Sequence, residues 1–463
     1  MARLLVAMVP LALGACADSG LINSASAPRA GFSFVTDGAR RATGAESVWA
    51  LSAEEVAANE ARARALLHGK VIGPETAVQV ALINNRALQA AYADLGLSAT
   101  EIWDVALGPV SSLEVTIAGI GQEGLARSLE ATVTGAVLEA VTRDRRKAVA
   151  ETAFRQAQFE ALAATVALAA DAREAWIDTV AAFEAEALVG RAQETADAAS
   201  ELAAELGRTG ALNRGEQARE HVFTAELAAE RADARLEAQL AKEKLTRLMG
   251  LYGSDIAFQV PDRLPGLPGS RPGRADIERL ALTHRTDLAL GRLELEAVAQ
   301  EYRLAGEKRM VSDVSLMAGV EAEREDGATE LSPVLEATFE IPIYDTTKPT
   351  RRRGELAYMR AAHELAQMAI NARSEARAAH AAVTGKYNVA RHWRDEVLPL
   401  RRVIDEEALK SYNGMLSSTF ELIADAREGL EAQLSYAEAK ADYWHAEAEL
   451  AAVIWGGPTG GSE

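Results

Sequence analysis

Two periodicities alternate along the chain. Most of it places apolar residues at three- and four-residue spacing, which is helical, while four short stretches alternate residue by residue, which is strand-like. The clearest strand is SPVLEATFEIPIYD at 332–345, where Leu335, Ala337, Phe339 and Ile341 share one parity and Glu336, Thr338 and Glu340 the other. Leu113, Val115 and Ile117 alternate in the same way with Glu114 and Thr116, and Leu129, Ala131, Val133 and Val137 with Glu130, Thr132 and Thr134. In the fourth stretch Val314, Leu316, Ala318 and Val320 alternate with Asp313, Ser315 and Gly319. Strands are therefore expected at about 110–120, 127–137, 312–322 and 332–343, joined pairwise through IGQEG and EAEREDGATE. Each is about nine to eleven residues, the length of a tilted transmembrane strand.

The remainder predicts helix. One helix starts near Pro74, a residue suited to a first turn, and runs to about Leu107. Before it, residues 16–73 read as an extended, irregular arm containing SGLINSASAPRAG, then a short helix around Ser52–Leu67. From about Leu138 to Gly207 and from about Gly354 to Tyr412, Pro399 is the only proline and glycine is scarce. Seventy residues of helix reach roughly 100 Å at 1.5 Å per residue. Stretches such as ALAATVALAADAREAW present small apolar residues that let helices approach closely, as in coiled coils.

The pattern occurs twice. NNRALQAA at 84–91 is echoed by HRTDLALG at 284–291, LEAT at 129–132 by LEAT at 335–338, and GRTGALN at 207–213 by SYNGMLS at 411–417. Three landmarks in one order at nearly one offset mark a duplication with the plan helix, two strands, long helix, glycine break, long helix. The expected organisation is a signal segment at 1–15, an arm at 16–73, repeat one at 74–260, a linker at 261–273, repeat two at 274–457 and a tail at 458–463.

Composition narrows the setting. A net charge of −19 over 463 residues gives no basic footprint for nucleic acid. The single cysteine, Cys16, follows MARLLVAMVPLALGA, a short basic and then apolar segment of export type. The run Leu13-Gly14-Ala15-Cys16 resembles a bacterial lipoprotein signal, which implies Cys16 as a lipidated, acylated first residue; cleavage nearby that leaves Cys16 unmodified is the alternative. No other apolar run reaches the roughly 20 residues of a spanning helix, so any membrane crossing falls to the strands. Four strands cannot close a barrel, and open edges are not tolerated in lipid. Two copies would supply eight strands and three would supply twelve; only the larger ring leaves room for a pore.

Residues from about 74 to 457 resemble the TolC-like outer-membrane efflux proteins. The resemblance rests on PETAVQVALINNRALQAAYADLGLS, LEATFEIPIYDTTKPTRRRGELAYMRAAHELA, ELGRTGALNRGE, YNGMLSSTFELIADAREGLEAQL and AEAELAAVIWG. NNRALQAAYADLG and YNGMLSSTFELIADARE look closest to the branch associated with heavy-metal and copper handling. Repeat one departs from the pattern, reading TGAVLEAV where repeat two has the PIYD exit. The resemblance implies a mainly α fold with a small transmembrane β part: a homotrimer whose 12-stranded β-barrel continues as a 12-helix periplasmic α-barrel. It implies a passive outer-membrane exit duct, served by an inner-membrane transporter and a periplasmic adaptor, for metal ions or small toxic compounds. A periplasmic coiled-coil lipoprotein that tethers the envelope without a pore is the alternative.

A duct needs no catalytic constellation and the sequence offers none, nor a cofactor motif. His68, His221, His284, His363, His380, His392 and His445 form no metal-binding pair, and His392-Trp393 and Trp444-His445 read as packing residues. The glycine breaks read as helical-hairpin turns. The resemblance adds that Arg208, Gly210, Leu212, Tyr412, Gly414 and Leu416 lie at tips that dock the adaptor. Glu421 and Asp425, four residues apart, share a helix face. In a trimer they would form acidic rings at the entrance, with Arg427 or Arg219 as basic partner. Glu114, Glu130, Glu336 and Glu340 are expected to face the barrel lumen, because a charge facing lipid at the midplane costs a few kcal/mol.

Overall fold

The computed structural model describes residues 19–107, 111–120, 126–136, 142–210, 212–270, 276–307, 313–325, 328–340 and 347–456. Cys16 and the exit residues Ile341–Asp345 lie outside the described residues. The chain begins with α1 (Ser19–Ala25), α2 (Phe32–Thr43) and α3 (Ala53–Leu67). The first two correct the expectation of an irregular arm. Phe32, Val35 and Ala39 fall at helical spacing and are buried, but Gly38 and the polar residues around them mask the stripe. Gly38 is there for closeness, since a Cβ would stand 2.7 Å from the Leu162 side chain. α3 opens as expected, with Ser52 Oγ accepting the Glu55 N–H at 3.2 Å.

The first repeat runs α4 (Pro74–Asn84), α5 (Arg86–Leu107), β1 (Ser111–Ile120), β2 (Ala126–Ala136), α6 (Arg143–Arg208) and α7 (Arg214–Leu248). The second runs α8 (Ile277–His284), α9 (Thr286–Glu307), β3 (Asp313–Glu325), β4 (Ala328–Glu340), α10 (Thr347–His392), α11 (Leu398–Asn413) and α12 (Thr419–Trp455). The single helix expected from Pro74 to Leu107 is two, because Asn85 is extended (φ −67°, ψ 122°). Its Oδ1 accepts the Leu88 N–H at 3.0 Å and so caps α5, while its Nδ2 donates to the Leu248 carbonyl at 2.9 Å. Arg285 breaks the second repeat at the matching place (φ −60°, ψ 125°). Between α10 and α11, Trp393–Val397 form a π turn. Pro399 follows at once; lacking an N–H and clashing with the carbonyl four residues back, it favours such a local widening.

The strands form one antiparallel sheet in the order β1-β2-β3-β4. The second hairpin is longer than expected: β3 and β4 pair as far as Glu325 with Ala328, so all the described residues of EAEREDGATE are strand. Within the described residues β1 and β4 have no outer neighbour.

Two compact units divide the chain, and both draw on both repeats. One holds the described residues of Met1–Val35, Ala91–Ala161 and Leu288–Met368, including the sheet; the other holds Thr36–Ala90, Leu162–Asp287 and Ala369–Glu463. In the first, Phe32 packs edge-on against Tyr92 with ring centroids 4.8 Å apart. In the second, Tyr387, Tyr443, Leu450 and Ile454 share a core. The inter-repeat linker is docked there: Tyr387 Oη donates to the Pro268 carbonyl at 3.1 Å and Trp444 Nε1 to that of Pro265 at 3.0 Å.

Candidate functional site

Both helical hairpins close on turns with the same parts. After α6 the chain reverses at Gly210 (φ +78°), and Asn213 then caps α7. Asn213 Oδ1 accepts the Gly215 and Glu216 N–H groups, and Glu216 returns a carboxylate to the Asn213 N–H at 3.0 Å. After α11 the reversal falls on Met415 (φ +60°), not on Gly414 (φ −82°) as the sequence comparison suggests. Met415 N–H bonds the Tyr412 carbonyl at 2.9 Å and Leu416 N–H that of Ser411 at 2.8 Å, a Schellman closure with methionine in the position glycine usually takes. Met415 and Leu416 are 92% and 85% exposed, so this tip presents two apolar side chains to its surroundings. Arg208 pairs with Glu205, and Leu212 and Tyr412 are half-buried.

The expected entrance pair has divided roles. Glu421 completes a capping box: its carboxylate accepts the Ser418 N–H at 2.8 Å while Ser418 Oγ accepts the Glu421 N–H at 3.2 Å. Asp425 acts instead on Asp405 of α11, a residue the sequence reading missed. Burial, with the nearby Asp425 charge added and Arg401 opposing, raises the Asp405 carboxyl above its ordinary range. Arg427, expected as a partner to the entrance acids, lies 3.6 Å from Glu226 and 3.4 Å from Glu431.

On the sheet, strand register places the four singled-out glutamates on rungs of one parity. Glu114 sits opposite Thr132, itself opposite Gly319 and then Val334. Glu130 is opposite Thr116 and Glu321, Glu336 opposite Met317, and Glu340 opposite Asp313. The other parity carries Leu113, Val133, Ala318 and Leu335 on one rung. Since successive rungs point to opposite faces, the alternation seen in single strands holds across the sheet. Glu336 and Leu335 are both exposed, and Thr338 Oγ1 lies 3.5 Å from Glu336 Oε1 on the same side.

A charge network in the second unit had no local signal in the sequence. Asp178 of α6 accepts from Lys244 Nζ of α7 at 3.0 Å and lies 2.9 Å from His445 Nε2 of α12. Burial works to raise its carboxyl, but the hydrogen bonds from His445 and Lys244 win and hold it below the usual range. One turn away, Glu174 is raised, first by burial, with Asp171 and Asp178 adding to this and His445 and Lys244 opposing it. His445 is thus a polar tie between α6 and α12 as well as a packing residue. Nearby, Lys440 Nζ reaches Glu184 Oε1 at 2.7 Å, and Glu184 Oε2 accepts the Leu264 N–H at 3.0 Å. Arg285, almost fully buried, is held by Asp287 at 2.7 Å and Glu375 at 2.5 Å. Among the described residues no group of His, Cys, Asp and Glu could hold a metal ion.

No family model matches the chain, and no curated relative does. Solved structures do. CusC, studied for the conformational changes that accompany folding and transmembrane channel formation, is 14% identical, with a TM-score of 0.69 over 83% of this chain and 92% of that one. The CmeC outer-membrane channel of Campylobacter jejuni is 16% identical at a TM-score of 0.68, over 84% and 87%. The open MtrE outer-membrane channel of Neisseria gonorrhoeae is 17% identical at 0.64, over 86% and 90%. The chain has the fold of the TolC-like outer-membrane channels.

Proposed function

We propose that this chain is the outer-membrane channel subunit of a tripartite efflux system, a passive duct for substrates delivered by an inner-membrane pump through a periplasmic adaptor. The observation that carries the reading is the sheet: four strands with alternating register, two edges unpartnered among the described residues, and long helices leaving one end. In lipid such edges must be paired, and three copies supply twelve strands, enough for a pore. The rungs bearing Glu114, Glu130, Glu336 and Glu340 then line water and the Leu335 rungs meet lipid. The tips at Gly210 and Met415-Leu416 meet the adaptor, and Asp425, set beside Asp405, contributes an acidic ring at the entrance. Cys16, lipidated, anchors the chain to the outer membrane. Metal ions or small toxic compounds are the proposed cargo. A coiled-coil tether would have no use for the sheet.

Single-channel recording in planar bilayers tests this. The purified chain is expected to conduct, with Asp425→Ala shifting conductance or cation preference. A chain that never conducts, and remains a water-soluble helical rod once delipidated, defeats the proposal.

A further inference from the structure

The two β-hairpins turn at one end of the sheet, so all four strand-to-helix connections leave from the other: Leu107 into β1, β2 into α6, Glu307 into β3 and β4 into α10. The two helices that follow the hairpins open at that end with basic segments, beside the acidic Asp313–Glu340 rung, in a chain whose net charge is −19. The first turns of α6 carry Arg145, Arg146 and Lys147 within RDRRK, and those of α10 carry Arg351, Arg352 and Arg353 within KPTRRR; Asp144 is the only acid in the two segments. The turn end of the second hairpin is the reverse, with Glu321, Glu323, Glu325 and Glu330 against Arg324. Arg351 and Arg352 share one carboxylate, Glu355, at 3.0 and 3.5 Å, and both are more than two-thirds exposed, so the RRR segment of α10 keeps a net positive charge; in α6, Lys147 lies 3.9 Å from Glu151. Elements at the same end of the sheet expose apolar and aromatic side chains: Trp103 and Leu107 at the end of α5, and Leu356 and Tyr358 in α10. Arginine beside half-exposed aromatics is the composition of a membrane–water interface.

We infer that this collar binds the anionic phosphate headgroups of the membrane leaflet on the helical side of the sheet. The occupant is a lipid surface rather than a soluble anion, because the basic residues recur in both repeats at the start of the helix after each hairpin, and the elements at that end also carry exposed apolar side chains. The inference rests on the membrane placement proposed above. It fixes which end of the sheet meets the headgroups: guanidinium groups at the helical end hold lipid phosphates, and the acidic turn end of the second hairpin lies at the far end.

The test uses the full chain in a neutral detergent at low salt. Its thermal unfolding is followed as mixed micelles of phosphatidylglycerol, of phosphatidylcholine, or inorganic phosphate alone are added. Phosphatidylglycerol is expected to raise the midpoint, phosphatidylcholine and phosphate to leave it unchanged, and about 0.5 M salt to remove the shift. Arg351→Gln, Arg352→Gln and Arg353→Gln together should weaken the apparent affinity roughly a hundredfold, about fivefold for each arginine. The matching triple lysine variant should retain most of it and so controls for folding. An equal shift with phosphatidylcholine, a shift with phosphate alone, or a folded triple glutamine variant with unchanged affinity would each overturn the collar. Conductance in neutral bilayers separates this from the duct: a conducting chain without headgroup preference removes the collar and leaves the channel standing.

Discussion

Replacing Lys440 with methionine should be among the most damaging single changes in the helical unit. The Lys440 side chain is 5% exposed and that of Glu184, its partner at 2.7 Å, is 14% exposed. Lys440→Met fits the volume but leaves the Glu184 carboxylate buried, held among the described residues by the Leu264 N–H at 3.0 Å. Breaking a buried pair from one side costs about 3–5 kcal/mol. The surviving Leu264 hydrogen bond offsets about 1 kcal/mol of that, so a loss of about 2–4 kcal/mol is expected. Glu184→Gln in the same chain removes the stranded charge and keeps an acceptor for Leu264, so the double variant should recover about half the loss or more. Urea unfolding followed by far-ultraviolet circular dichroism, run as a double-mutant cycle, reads both numbers. A Lys440→Met loss below about 1 kcal/mol, or a double variant as unstable as the two single losses added, would refute the reasoning.

Other perturbations have smaller, signed outcomes. Ser418→Ala removes half of the second capping box and should cost about 1 kcal/mol, with faster hydrogen exchange in the first turn of α12. Met415→Gly should stabilise the tip: relieving a left-handed non-glycine residue returns about 1–2 kcal/mol, against about 0.5–1 lost to chain entropy. Slower exchange at the Leu416 amide, bonded to Ser411, is its readout. Glu174→Gln and Asp178→Asn should act in opposite senses with pH. Glu174 is raised from 4.5 in the folded chain, so the folded state holds that proton more tightly and stability falls as pH rises through its pKa. The glutamine variant should therefore be the more stable protein at neutral pH, its advantage shrinking as acid protonates Glu174. Asp178 is lowered from 3.8, so its contribution is present above that pH and is lost on acidification; Asp178→Asn should lower stability at neutral pH. Thermal melts across that range check both.

The strands could be read because their period of two needs no tertiary information, and cross-strand register then extends Glu336 and Leu335 to whole rungs. Caps were written in the sequence as well, as N-x-x-E at Asn213 and S-x-x-E at Ser418. The i,i+4 spacing of Glu421 and Asp425 equally suits an entrance pair, so local sequence does not single out the cap. Helix breaks at Asn85 and Arg285 were hidden because the apolar pattern passes straight through them. Met415 was missed because glycine is the usual residue at positive φ and Gly414 stood next to it. Lys440 and Glu184 are 256 residues apart, and Asp178, Lys244 and His445 sit on three helices, so no local spacing signals either group.

The central claim is that one chain supplies four strands and closes its edges only with further copies of itself. Native mass spectrometry of the full-length chain released from detergent tests it most directly. Three copies per assembly is the predicted result. A monomer that keeps its strand content in detergent would contradict the account.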